Sequence, residues 1–225
     1  MVRRTCCRVW GRRSGYGALL AQGSNAVTLS DAGAAGAVLI GDAGPTTFVS
    51  TGAGVSLMGV SLVGGAGQNR FVVSGSATIS TGSGASKVVG SGQAALSVST
   101  GTGGNLVVLA GGASTVQLGS GTSTVFAFCT SAVTAGSGSA SLVMGSAVTF
   151  NIGAGNIAAG AAHSFALFNF VPGTDKISLQ GHGGGTVGNA IANQVNGAGQ
   201  TVLTLSDQTR VQLIGVTRAD AGIFA

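Results

Sequence analysis

Two histidines, His163 and His182, are the side chains of this 225-residue sequence suited to trading a proton near neutral pH. They have few partners. Asp31, Asp42, Asp175, Asp207 and Asp220 supply every carboxylate, there is no glutamate, and no acid falls between Asp42 and Asp175. His163 adjoins an apolar stretch and His182 lies among Gly181, Gly183, Gly184 and Gly185, settings of a packed or solvated imidazole. No serine has the flanking glycines of a nucleophile elbow. Cys6 and Cys7 are adjacent and Cys129 stands alone, so neither a disulfide framework nor zinc-ligand spacing exists. No catalytic residue, no metal ligand and no enzyme activity are expected.

The basic groups tell a similar story. The formal charge is +5, but Arg3, Arg4, Arg8, Arg12 and Arg13 make up half of the ten positives. The other five, Arg70, Lys87, Lys176, Arg210 and Arg218, are matched in number by the aspartates. A nucleic-acid face, which needs clustered cations, is therefore not expected. Residues 1–20 also hold the only Trp and Tyr and two of the three Cys, and are read as an atypical, basic, disordered extension. Gly15, Tyr16, Gly17 and Gln22 break the apolar run that a Sec signal requires. No stretch approaches the roughly 18 apolar residues of a membrane helix, so no membrane span is expected.

The elements that hold these groups follow from composition. Forty-two glycines, 44% hydrophobic residues and 5% aromatics exclude a thick core of large side chains. A thin core, repeated, fits better. From residue 52 the element Gly-x-Gly recurs, with an apolar residue six positions after its first glycine. Its starts are Gly52, Gly65, Gly82, Gly90, Gly101, Gly119 and Gly136, and the apolar positions are Met58, Phe71, Val88, Leu96, Val107, Val125 and Leu142. Several starts lie 17 or 18 residues apart. Each Gly-x-Gly suits a turn through positive φ, and the β-branched stretch after it suits a strand. Two strands per coil, stacked in parallel, would bury one column of side chains and leave Ser and Thr outside. The expected fold is all-β: a parallel β-solenoid (β-roll or β-helix) over 21–147, with a β-rich cap over 148–225.

This unit resembles the nonapeptide G-G-x-G-x-D-x-U-x of the RTX, or hemolysin-type, repeat proteins secreted by bacterial type I systems. The U position is the apolar one named above. At the position of the calcium-ligating Asp stand Ser56, Asn69, Ser86, Ala94, Asn105, Ser123 and Ala140. Calcium, which the resemblance implies, is thus not expected in these repeats, because a hard dication needs carboxylates to offset its charge.

Downstream, Val148–Ile152 and Phe165–Leu179 look like the family's DTFVF and I-x-D-F-x-P-G-x-D-K-I-x-L segments. Phe168, Phe170, Pro172, Gly173, Asp175, Ile177 and Leu179 carry that match, with Asn169 at an aspartate position of the family. Pro172-Gly173 forms a natural turn, Asp175 can accept from turn amides, and Ile177 and Leu179 share a strand face. Residues 201–216 resemble the family's terminal hairpin, with Gln208 where glycine is usual and with Val202, Leu203 and Leu205 facing Val211, Leu213 and Val216. The end, with Asp220, Ile223, Phe224 and Ala225, is similar to the family's uncleaved type I secretion signal.

The resemblance implies secretion, or display at the cell surface, through a type I apparatus. Three functions follow as expectations: a non-catalytic, adhesin-like structural protein that contacts surface glycans or itself; the secretion and folding module of a longer enzyme such as a protease or lipase; and a glycan- or ice-binding Ser/Thr face. The irregular spacing of Thr81, Thr100, Thr115 and Thr124 disfavours the last.

Overall fold

The computed structural model describes residues 18–21, 25–30, 38–41, 43–51, 60–92, 95–154 and 163–225. Met58, Ser56, Ala94 and residues 1–17 of the expected extension lie outside them. In chain order the strands are β1 (Ala18–Ala21), β2 (Asn25–Ser30), β3 (Val38–Gly41), β4 (Thr46–Thr51), β5 (Val60–Val63), β6 (Asn69–Val73), β7 (Ala77–Ser80), β8 (Ser86–Gly90), β9 (Leu96–Ser99) and β10 (Asn105–Leu109). They continue with β11 (Ser114–Gln117), β12 (Ser123–Ala127), β13 (Ser131–Thr134), β14 (Ala140–Met144), β15 (Val148–Gly153), β16 (Ser164–Phe168) and β17 (Lys176–Gln180). A short helix, α1 (Thr186–Ala192), precedes β18 (Val195–Gly197), β19 (Gln200–Thr204) and β20 (Arg210–Ile214).

The protein is mostly β. Successive strands go to alternate sheets: the odd strands β1 to β17 form one parallel sheet of nine, and the even strands β2 to β16 join β20, β19 and β18 in a second sheet of eleven. The second sheet is mixed, because β20 runs parallel to β16 while β19 and β18 return antiparallel.

Register explains why such short strands hold. Phe48, Phe71, Val88, Val107, Val125, Leu142, Leu167 and Leu213 stand opposite one another on consecutive strands of the mixed sheet, all buried. Leu62, Ile79, Val98, Val116, Val133, Phe150 and Ile177 do the same in the parallel sheet. The sheets meet where Phe150 and Phe165 pack edge to face with ring centroids 5.1 Å apart. Each buried side chain of this size contributes about 1.5–3 kcal/mol, so the sum over the columns, rather than any one strand, carries stability.

Three expectations change. Leu96, one of the seven repeat positions, lies in β9 and therefore in the parallel sheet, whereas Phe71, Val88, Val107, Val125 and Leu142 share a column of the mixed sheet. The glycines act mainly through proximity. Of the described Gly-x-Gly glycines only Gly82 and Gly92 have positive φ, yet a Cβ on Gly84, Gly101, Gly121 or Gly138 would sit 1.6–2.1 Å from the backbone oxygen of a glycine one repeat earlier, Gly67, Gly82, Gly103 or Gly121 respectively. Close stacking of turns on turns, more than backbone handedness, requires glycine there. The third change concerns hydroxyls, since Thr81, Thr100, Ser86, Ser114, Ser123 and Ser131 are buried rather than outside.

The arrangement does not stop at residue 147. β15 and β16 pair in parallel with β13 and β14, and β17 and β20 follow them. Ala18, Leu19 and Leu20, counted in the basic extension, belong to β1 and stand in register with Val38, Leu39 and Ile40.

Candidate functional site

The positions where the resembling family carries calcium-binding aspartate line one corner of the core. Asn69, Ser86, Asn105, Ser123 and Ala140 are mutually in register and buried. The polar side chains of Asn69, Ser86 and Asn105 donate to turn carbonyls. Asn69 Nδ2 reaches the oxygens of Gly67 (2.8 Å) and Gly65 (3.1 Å), Ser86 Oγ that of Thr81 (3.1 Å), and Asn105 Nδ2 that of Gly103 (2.7 Å). Thr81 Oγ1 donates to Asn105 Oδ1 and accepts from Gly101 N, both at 3.0 Å, and Thr100 Oγ1 accepts from Gly119 N at 2.9 Å. An amide or hydroxyl donor thus neutralises oxygens that a cation would otherwise use. This corner is a neutral, hydrogen-bonded seam in which Asn69 Oδ1 is a buried acceptor without a hydrogen-bond partner.

Asp175 uses its charge internally. Buried between two segments, its Oδ1 accepts from Val148 N (2.9 Å) and its Oδ2 from Val171 N (2.8 Å), which ties the Phe165–Leu179 motif to the start of β15. Pro172 is exposed and Gly173 turns at φ +90, Phe170 and Ile177 are buried, and Leu179 packs against the core from a half-buried position. Phe168 faces outward, 37% exposed. Asn169 has φ +58, a left-handed conformation that asparagine tolerates.

In the terminal hairpin Gln208 has φ +68, the glycine-favouring geometry its position suggested. Leu203 and Leu205 point inward with Val211, Leu213 and Val216, but Val202 does not: buried Thr201 takes the inward place and donates to Val216 O. Thr201, Leu203 and Leu205 keep strict period-2 alternation, which Val202 breaks.

The end of the chain is seated on β17. Ile223 is buried, Ile177 and Phe224 form a parallel bridge, Ala225 N donates to Ile177 O at 3.0 Å, and Lys176 Nζ donates to Gly222 O at 2.6 Å. Asp220 Oδ1 accepts from Gly222 N at 2.8 Å, closing the turn before it.

The histidines do not converge with a nucleophile. His163 is buried beside Ser164, its carbonyl accepting from Arg210 N, and the Nε2 atoms of His163 and His182 have no hydrogen-bond partner. Among the described residues no three of His, Cys, Asp and Glu gather into a metal-binding group, and no helix is long and apolar enough to cross a membrane.

What remains are the outer faces of the two sheets. On the parallel sheet the face is hydroxyl-rich: Thr78, Ser97, Thr115, Ala132 and Thr149 form one row and Ser80, Ser99, Gln117, Thr134 and Asn151 the next. Thr115 belongs here, Thr124 to the other sheet, and Thr81 and Thr100 to the interior, so those four never form a common surface. The mixed sheet differs. One outer row is apolar, running Val49, Val72, Val89, Val108, Phe126, Val143, Phe168 and Ile214. Beside it Arg70 and Lys87, both exposed, stand directly opposite each other on β6 and β8. They border a shallow concavity of about 610 Å³ lined also by Thr47, Gln68, Thr122 and Thr124.

Sequence reasoning noted Arg70 and Lys87 only as isolated charges. Their separation of 17 residues is one repeat, and that equality was the signal that they are neighbours. A scan against protein-family models finds no match to this chain, and neither do searches of curated proteins and of solved structures.

Proposed function

We propose that the chain is a parallel β-solenoid of RTX-like type, a non-catalytic, adhesin-like surface protein exported through a type I apparatus, with residues 148–225 as its cap and export region. One observation carries the architectural part: strands alternate between two sheets without interruption from β1 to β17, each advancing the stack by one position in register. The binding role is supported by chemistry held on outer faces, while the interior amide nitrogens of Asn69 and Asn105, and Asp175, are occupied with backbone groups. The export part rests on the Phe165–Leu179 motif and the acidic-then-apolar tail.

Co-expression with a type I exporter tests it, by measuring the chain in the medium. Deletion of residues 217–225 should leave the protein in the cell. Because the tail is also seated on β17, Lys176→Ala, which removes one tail contact and keeps the tail sequence, serves as the comparison and should still be exported. Undiminished secretion of the deletion overturns the export role.

A further inference from the structure

Between Asp42 and Asp175 the chain carries two charges, Arg70 and Lys87, and the fold brings them together. Like charges directly opposite on paired strands destabilise a sheet. Among the described residues no hydrogen bond or ion pair engages either side chain to relieve this pair. Neutral residues at either position would avoid the repulsion. Such a local conflict with folding is the kind that binding sites carry.

The surroundings narrow the ligand. Thr47, Gln68, Thr122 and Thr124 offer neutral donors and acceptors around the cations, and Val72 and Val89 follow two residues along the same strands on the same face. The strip is thus cationic, then hydroxylic, with an apolar margin. A pyranose bearing one acidic group has that pattern in complement: a charge, hydroxyls and an apolar C–H face. Nucleic acid fits poorly, because extended phosphate backbones are met by many cations and by aromatic platforms, and this concavity has two cations and no aromatic lining. A polybasic membrane site would need about 4–8 clustered cations.

We propose that Arg70 and Lys87, with the polar groups around them, bind the anionic group, carboxylate or sulfate ester, of an acidic polysaccharide. The guanidinium of Arg70 supplies a planar fork for two oxygens and Lys87 a mobile second charge. This rests on the surface-binding part of the proposed function and is independent of export, because the test uses purified full-length chain.

The experiment measures binding of polygalacturonate, its methyl ester, dextran sulfate and neutral dextran, with a single-stranded oligonucleotide as competitor. Binding to one or both charged polysaccharides and to neither neutral polymer is expected, and the charged polymer preferred identifies the acid group. Arg70→Gln and Lys87→Gln should each weaken it about tenfold and the double substitution more than either alone, without simple additivity because the two side chains are direct neighbours on one anionic group. Both side chains are exposed, so the variants keep the wild-type melting temperature or exceed it once repulsion is removed. Unchanged affinity in the double variant, equal binding of the methyl ester, or tighter binding of the oligonucleotide overturns the proposal.

Discussion

Gly103 and Gly104 are adjacent, and the stack treats them oppositely. A Cβ on Gly103 would lie 2.4 Å from the carbonyl oxygen of Gly84, whereas one on Gly104 meets nothing within 4 Å. Gly103→Ala should therefore cost about 2–3 kcal/mol or more by forcing backbone apart, and Gly104→Ala should stay within about 0.5 kcal/mol; urea unfolding of the two variants measures the difference. Gln208 offers the reverse case. Its φ of +68 is strained for a residue with a Cβ, so Gln208→Gly should stabilise by about 0.5–1 kcal/mol, the relief exceeding glycine's greater unfolded-state entropy. That position was legible in the sequence because a hairpin turn demands a particular backbone. The role of the Gly-x-Gly glycines was not, since a contact between successive turns of the repeat leaves no mark inside one repeat.

At the scale of strands, inward and outward places alternate, so neighbouring residues answer differently to substitution. Leu142→Ala should cost about 2–5 kcal/mol, because its side chain is fully buried between Val125 and Leu167, while Val143→Thr on the outer row should change stability by less than about 0.5 kcal/mol. Thermal unfolding of both variants checks the register. The strands could be read from β-branched runs between glycines, and the spacing near 17 or 18 gave most of one column. Leu96 falls in the parallel sheet because its Gly90-Ser91-Gly92 element begins on the last residue of β8 and leads into β9. The helix α1 escaped notice because Thr186–Ala192 is short and glycine-bounded, and only Thr186 and Ala190 on it are buried. Val202 reads with Leu203 and Leu205 as part of one apolar arm, yet the alternation fixed by Leu203 and Leu205 puts Thr201 inward in its place.

For the whole molecule, the outer faces show how far composition reaches. A Ser/Thr exterior is expected of the whole repeat region; the parallel sheet presents one, and the mixed sheet instead presents a Val/Phe row beside the two cations. Hydropathy averaged over a segment cannot tell inside from outside when both are valine. Only pairing partners can, and these emerge once the fold sets the register. The same pairing has a mechanical consequence. Register partners in the central mixed sheet are 17, 19, 18 and 17 residues apart from Phe71 through Val88, Val107 and Val125 to Leu142. Tension applied across the stack would load one ladder of hydrogen bonds at a time, like a zipper rather than a clamp. Each released repeat of about 18 residues would lengthen the chain by roughly 60 Å at full extension. Single-molecule pulling should accordingly give a train of small, nearly equal steps, and a single rupture releasing the entire length would contradict it. The molecule would yield gradually under load, dissipating work repeat by repeat while the remaining strands stay paired.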